Sequence, residues 1–243
     1  MRIIQITDTH IYSEGNKIGL KHLSNLRCII DFIESNLDRI NADLIMVTGD
    51  VSHDGGEASY EKFFKAMSHV SLPVYVIPGN HDNKQRLRYV SEKYDCGLNV
   101  NSFCNKDWRI LSVDSVVDNE DYGFIKKNDL VNFEKEILAS QSKRIAVFLH
   151  HHPIQVGTPI VDDCMLMNAS EFLDVCQRLN VAFIGSGHAH TLFQRKIGDA
   201  LVSVSPAACS QWNNGTKEVS FIDNSAFSVV NLSEHVHVAP WFI

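Results

Sequence analysis

Five short apolar runs in this 243-residue chain each end abruptly in Asp, Asn or His. Asp8-Thr9-His10 follows RIIQIT, Gly49-Asp50 follows DLIMVT and continues to Asp54, and Asn80-His81-Asp82 follows VYVIPG. His150-His151-His152 follows IAVFL, and His188-Ala189-His190 follows VAFIGSG. Carboxylates, imidazoles and one amide form a donor set that suits Mn, Fe, Co or Zn better than Ca or Mg alone. Two such cations ~3.5–4 Å apart can lower the pKa of a bridging water, hold two phosphoryl oxygens and stabilise both ends of an in-line displacement. Each piece also has a plainer reading. Gly-Asp and Pro-Gly-Asn are common turn chemistry, and an Asp-x-His pair past a strand only shows that both side chains can point the same way. All five together make coincidence a poor explanation.

The elements that must position these residues are legible around them. The five runs are short, β-branched and bounded by Gly or Pro, as expected of strands buried on both faces. Helical spacing lies between them at roughly 20–40, 58–67, 128–138 and 169–179. Alternation of this kind favours mixed α/β layers. If the strands share a sheet and direction, the five motifs meet at one rim, because ligands in α/β folds gather outside the carboxyl ends of strands. After His190, FQRKIG, ALVSVS, KEVSFID and AFSVVNL alternate and are separated by Gly, Asp or Asn, which reads as antiparallel strands. No Pro- or Ser-rich linker interrupts the chain. The expected architecture is therefore one domain over residues 1–243: an α/β four-layer α-β-β-α sandwich of two packed mixed sheets, with the dinuclear site at strand carboxyl ends.

The order D-x-H, G-D-x-x-x-D-G, G-N-H-D, H-x-P and G-H-x-H is similar to that of the calcineurin-like metallophosphoesterases. Within that superfamily the chain most resembles the class III 3′,5′-cyclic-nucleotide phosphodiesterases. QITDTH, the HHHP run, the segment Asp162-x-x-x-Leu166-x-Asn168 and the stretch SPAACSQ after GHAH carry this finer resemblance. It implies one metal held by Asp8, His10 and His190, a second held by Asn80, His151 and His188, and Asp50 bridging both. The family's histidine lies two residues before the proline, here Pro153, which selects His151 and leaves His150 as the strand end. His152 and Asn168 would then be substrate-side or behind the ligands. Asp54 and Asp82 would orient ligands, or would simply be turn residues. His81 would contact phosphate or donate a proton to the leaving alkoxide, help typically worth ~10²–10⁴-fold.

The implied activity is metal-dependent hydrolysis of 3′,5′-cyclic nucleotides to nucleoside monophosphates. Mn or Fe is the first choice of metal, with Zn or Co as alternatives. Other implied substrates are a glycerophosphodiester, a nucleotide pyrophosphate or a phosphomonoester. A non-catalytic module is disfavoured because all seven ligand positions are filled. The loop after His10 is short and lacks the threonine expected of cyclic-nucleotide relatives, a departure on the substrate side.

Composition sets the remaining bounds. A net charge of −7 argues against nucleic acid or anionic membrane as partner, but not against a phosphate ester, since bound cations reverse the local field. Cys28, Cys96, Cys104, Cys164, Cys176 and Cys209 are scattered without a CxxC pair, which reads as reduced, mostly buried thiols of a cytoplasmic protein. The first residues do not look like a signal peptide. His235 and His237 imitate a ligand pair but are expected on the solvent side of a late strand. His53 lies close to Asp50 in sequence, yet no pattern requires it. Trp241 and Phe242 either pack the terminus down or contribute to a subunit contact.

Overall fold

The computed structural model describes residues 1–94, 97–98, 103–140 and 143–243. Along the chain, β1 (Arg2–Ile6) leads to α1 (Lys17–Ser35) and the one-turn α2 (Leu37–Ile40). β2 (Leu44–Thr48) leads to α3 (Glu57–Met67), and β3 (Val74–Ile77) to α4 (Lys84–Ser91) and the two-residue β4 (Gly97–Leu98). The alternation continues with β5 (Trp108–Ser112), α5 (Lys127–Leu138), β6 (Arg144–Phe148), α6 (Pro159–Asp162), α7 (Ala169–Arg178) and β7 (Phe183–Ser186). Strands complete the chain: β8 (Phe193–Ile197), β9 (Ala200–Val204), β10 (Gln211–Trp212), β11 (Phe221–Ile222), β12 (Ala226–Asn231) and β13 (His237–Phe242).

Two mixed sheets result, ordered β13-β12-β1-β2-β3-β4 and β5-β6-β7-β9-β8, with β10-β11 as a separate ribbon. β1 to β4 are parallel, and β12 closes antiparallel on β1, pairing Ile4 with Val229. β5, β6, β7 and β9 are likewise parallel, and β8 folds back on β9. The five motif-bearing strands thus do not share one sheet. Three belong to the first and two to the second, and the rim they share is the joint edge of both.

Alternation along the strands explains the layering. Ile4, Ile6, Ile45 and Val47 face Leu26, Ile29 and Phe63 of α1 and α3. Their neighbours Ile3, Leu44 and Met46 face Ile110, Phe148 and Phe183 of the second sheet. That sheet's other face, including Ile145, Val147 and Ile184, packs against Phe133 of α5 and Phe172 of α7. Side chains of both parities are therefore buried, as the continuous apolar runs require.

Boundaries follow local chemistry. α1 starts at Lys17 because the Asn16 side chain accepts the Gly19 N–H at 2.7 Å. The helix expected through residue 40 breaks at Asn36, whose N–H turns to the Ile33 carbonyl. α4 was not expected: its sequence is polar, and of its apolar side chains only Leu87 and Val90 are buried. β13 carries Pro240, which is tolerated because it is an edge strand. His235 and His237 are exposed, as expected. Of the thiols, Cys176 and Cys209 are buried, but Cys28 and Cys104 are exposed and Cys164 is half-buried, so the expectation of mostly buried thiols is corrected. Cys96 lies outside the described residues. No helix among the described residues is long and apolar enough to cross a membrane.

Phe148 is fully buried between the sheets. Phe148→Ala should lower unfolding stability by about 3–5 kcal/mol, read as a lower denaturant midpoint with an unchanged slope. A loss far smaller than this would show that the layers do not interlock there.

Candidate active site

The loops beyond three of the five strands, β1, β2 and β7, adopt a backbone that side-chain-bearing residues usually avoid. Asp8 (φ 53°), His10 (43°), Asp50 (49°), His188 (68°) and His190 (41°) are all left-handed. Each costs roughly 1–2 kcal/mol, and such residues persist only where their surroundings over-determine them. Here the loops are zipped together. Asp8 N–H donates to the Gly49 carbonyl (3.0 Å), His10 N–H to Asp50 (2.9 Å), Gly187 N–H to His150 (2.9 Å) and Cys209 N–H to Asp8 (3.2 Å). Gly49, at φ 95°, has no room for a side chain, since a Cβ there would lie 2.4 Å from His150 Nδ1.

Two donor sets converge on Asp50. His10 Nε2 lies 3.5 Å from Asp50 Oδ2 and 3.2 Å from His190 Nε2, which is itself 3.3 Å from Asp8 Oδ1. On the other side, His150 Nε2 is 3.5 Å from the same Asp50 Oδ2 and 3.0 Å from Asn80 Oδ1, and His188 Nδ1 is 3.1 Å from Asn80 Oδ1. The far ring nitrogens of His150 and His190 meet the carbonyls of Thr48 (2.8 Å) and Ser210 (3.0 Å). That contact places the ring N–H on Nδ1 and turns Nε2 inward, as in metal-binding histidines.

Electrostatics fit a cation. Burial works to raise the Asp50 carboxyl, but His150, His10 and His81 outweigh it and hold the group well below the usual carboxylate range. Asp8 is lowered too, against burial, chiefly by His190. Burial, aided by neighbouring imidazoles, keeps His10 and His188 well below the usual histidine value, hence neutral with a lone pair to give. His150 resists burial because Asp50 and Asp8 lift it to about 9. Asp8 Oδ1 is buried without a hydrogen-bond donor. Ionised carboxylates and facing imidazole nitrogens at these spacings form a donor set that divalent cations satisfy.

The model of the family described as calcineurin-like phosphoesterase matches residues 1–192. The chain belongs to that family. It is 35% identical over 98% of both chains to a probable cyclic nucleotide phosphodiesterase of Xenorhabdus bovienii. It is 32% identical, over 85% of this chain and 79% of the relative, to a probable glycerophosphodiester phosphodiesterase of Arcobacter nitrofigilis. Among solved structures, a dimetal phosphatase from Danio rerio aligns with a TM-score of 0.71 over 100% of this chain and 98% of that one, at 12% identity, which speaks to the fold alone. Calcineurin-like phosphoesterases use a dinuclear metal site.

In this phosphoesterase Asp8, His10, Asp50, Asn80, His188 and His190 meet as the sequence led one to expect. From the HHHP run His150 reaches Asp50 and Asn80, while the expected His151 has a donor atom within 4.8 Å of those of His150 and His188, and its Nε2 is buried without a partner. His151 stands beside His150, with Nδ1 2.8 Å from Ser115 Oγ and Gly123 packed on its ring. His152 is buried behind His188, stacked at 5.6 Å, with Nε2 3.4 Å from Asp162. Asn168 is not on the substrate side. Both ends of its amide are spent on the Ile125 backbone (3.0 and 2.9 Å), so it braces the strand-like segment next to Gly123.

Asp82 orients the ligand loops directly. It accepts N–H bonds from Val51, Ser52 and Gly79 (3.2, 2.9 and 2.9 Å) and the Tyr60 hydroxyl (3.2 Å). Burial and Asp50 push its carboxyl up to about 6 against those bonds. Asp54 instead ties Ser13 to Ser52 and Gly56, a loop-closing part. His81 donates its backbone N–H to Asp50 Oδ1 (2.9 Å), and its Nδ1 meets the His53 carbonyl (3.0 Å). Sequence reasoning left His53 undecided; its ring lies between Tyr12 and His81, with Nδ1 3.2 Å from His10 Nδ1. It missed Ser115, Cys209, Trp212 and Phe221, whose partners are distant in sequence. Only Cys209 had a pointer, the SPAACSQ stretch.

Gly49→Ala forces a Cβ against the His150 ring at a positive φ. The variant should bind less metal per chain and melt lower. A full metal complement by elemental analysis would show that the ring is not pinned there.

Proposed function

We propose that this calcineurin-like phosphoesterase hydrolyses 3′,5′-cyclic nucleotides to nucleoside monophosphates, with two divalent cations, Mn or Fe first. The observation that carries the two-cation reading is the position of Asp50 Oδ2, 3.5 Å from ring nitrogens of both donor sets. The name of the nearly full-length Xenorhabdus relative supports the cyclic-nucleotide substrate. The Arcobacter relative supports a second reading, a glycerophosphodiester.

In this proposal Asp8, His10 and His190 would hold one cation and Asn80, His150 and His188 the other, with Asp50 available to both. His150 replaces His151 in the assignment because of its reach. When bound, the cations supply Lewis acidity toward the phosphoryl oxygens and a water made nucleophilic at neutral pH. The chain does the rest. Asp82 keeps the Asp50 and Asn80 loops in register through their backbone N–H groups. His81, which lines a cavity of about 640 Å³ together with His10, Asp50, His188 and His190, would donate a proton from Nε2 to the leaving 3′ oxygen when doubly protonated and would be left neutral. Its own Nδ1–H is spent on the His53 carbonyl, so Nε2 is the free position.

With Mn²⁺, the protein should cleave bis-p-nitrophenyl phosphate and cyclic AMP faster than p-nitrophenyl phosphate. A strong preference for the monoester would sink the proposal. His81→Ala should keep both metals and lose about 10²–10⁴-fold in kcat on cyclic AMP; normal turnover would remove His81 from the chemistry. Metal titration separates the two histidines. His150→Ala should lose one equivalent, whereas His151→Ala should weaken binding by no more than about 10–100-fold, the usual effect of a residue behind the ligands. The opposite pattern would restore His151 as the ligand.

A further inference from the structure

Where the donor atoms of the cavity end, its wall becomes aromatic. Trp212 of β10 and Phe221 of β11 pair across the ribbon, with ring centroids 4.2 Å apart and planes at 33°. Both line the same cavity as His190, with ring centroids 6.4 and 6.5 Å from that imidazole. The placement is built in. The Trp212 N–H donates to the His190 carbonyl at 3.1 Å, so the ribbon is anchored on a ligand residue. Behind it, Trp212 packs with Ile160 and Val161 of α6. At the rim, Lys21 of α1 pairs with Asp223, two residues after Phe221, tying the ribbon's end to the opposite element.

Phe221 remains 52% exposed despite the stack on Trp212. A scattered exposed Phe needs no explanation. This one is propped, fixed beside the donor set and lines the cavity in which the reaction is proposed to occur. A diester of glycerol offers nothing flat to such a surface, whereas a nucleobase has a π-face that stacks whatever its sequence of ring atoms.

We propose that Phe221, backed by Trp212, is the stacking surface for the nucleobase of the substrate, so that the pocket selects nucleoside-bearing phosphodiesters over glycerol-bearing ones. This rests on the phosphodiesterase reading of the same site. The base lies on the Phe221 ring while the phosphoryl group sits over Asp50. Phe221 therefore governs which ester is held, and the donor set governs what happens to it.

The test uses the Mn²⁺-loaded protein and its Phe221→Ala and Phe221→Trp variants. Dissociation constants for adenosine 5′-monophosphate, glycerol 3-phosphate and inorganic phosphate are measured by calorimetry, independently of turnover. Phe221→Ala should weaken the nucleotide by about 5- to 150-fold, the range for loss of one base–aromatic stack. Its affinities for glycerol 3-phosphate and phosphate should stay at wild-type values, and Phe221→Trp should restore nucleotide binding. Unchanged nucleotide affinity in Phe221→Ala would overturn the proposal, as would a parallel loss for all three ligands. The two readings fail separately. Absence of cyclic AMP turnover with Phe221-dependent nucleotide binding intact refutes the proposed reaction alone. Turnover of cyclic AMP with an unchanged KM in Phe221→Ala refutes the stacking surface alone.

Discussion

The structure depends on keeping Asp8 and Asp50 ionised at 0% and 2% exposure, side by side at the junction of two sheets. Charge withdrawn from water is costly unless it is paired and hydrogen-bonded. Here the compensation is specific. Asp8 Oδ2 accepts from the Thr7 hydroxyl (2.7 Å) and the His188 N–H (3.0 Å), while Asp50 Oδ1 accepts from the His81 N–H (2.9 Å). The remaining oxygens face imidazole nitrogens, the position where a cation would complete the balance. His188, which supplies its N–H to Asp8, is itself left-handed, as are both buried aspartates. Strain and charge compensation are thus two sides of one arrangement.

Such loops hold their shape only on a stiff frame. Parallel strands buried on both faces deliver the loops to one edge, and the interlayer contacts of Phe148, Phe183, Met46 and Ile110 keep the two sheets from sliding. Cross-links at the edge finish the work: Gln5 Nε2 of the first sheet donates to the Ser186 carbonyl of the second at 3.0 Å. Asp82, with its four donors, plays the same part within the first sheet's loops. The cost of burying polar groups is met by hydrogen bonds that also set geometry.

The metal side and the substrate side of the cavity are built on different principles. The first is polar, over-determined and assembled from strand ends. The second is assembled from the ribbon, α6 and the start of α1, with apolar faces and an exposed ion pair of the kind that adds little stability. A division of this sort would let the chemistry stay constant while the proposed aromatic rim selects the ester.

The sequence by itself determined the five motif-bearing strands, most helices, the layered class and the meeting of Asp8, His10, Asp50, Asn80, His188 and His190, but not strands β5 and β10. These are local properties: apolar runs of strand length, helical spacing, and chemical residue types placed directly after them. Helix α4 escaped because two buried apolar side chains in a polar octet make too weak a pattern. What lies beyond local pattern was decided by tertiary structure. The division of the five motifs between two sheets follows from pairing partners that no spacing encodes. Whether His150 or His151 faces Asp50 depends on how the end of β6 is turned, which Gly49 and the Thr48 carbonyl across the junction control. The role of Asn168 was set by Ile125, 43 residues away, and the aromatic wall by ribbon pairing of Trp212 with Phe221. In each case the deciding contact joins segments far apart in the chain, and only packing brings them together.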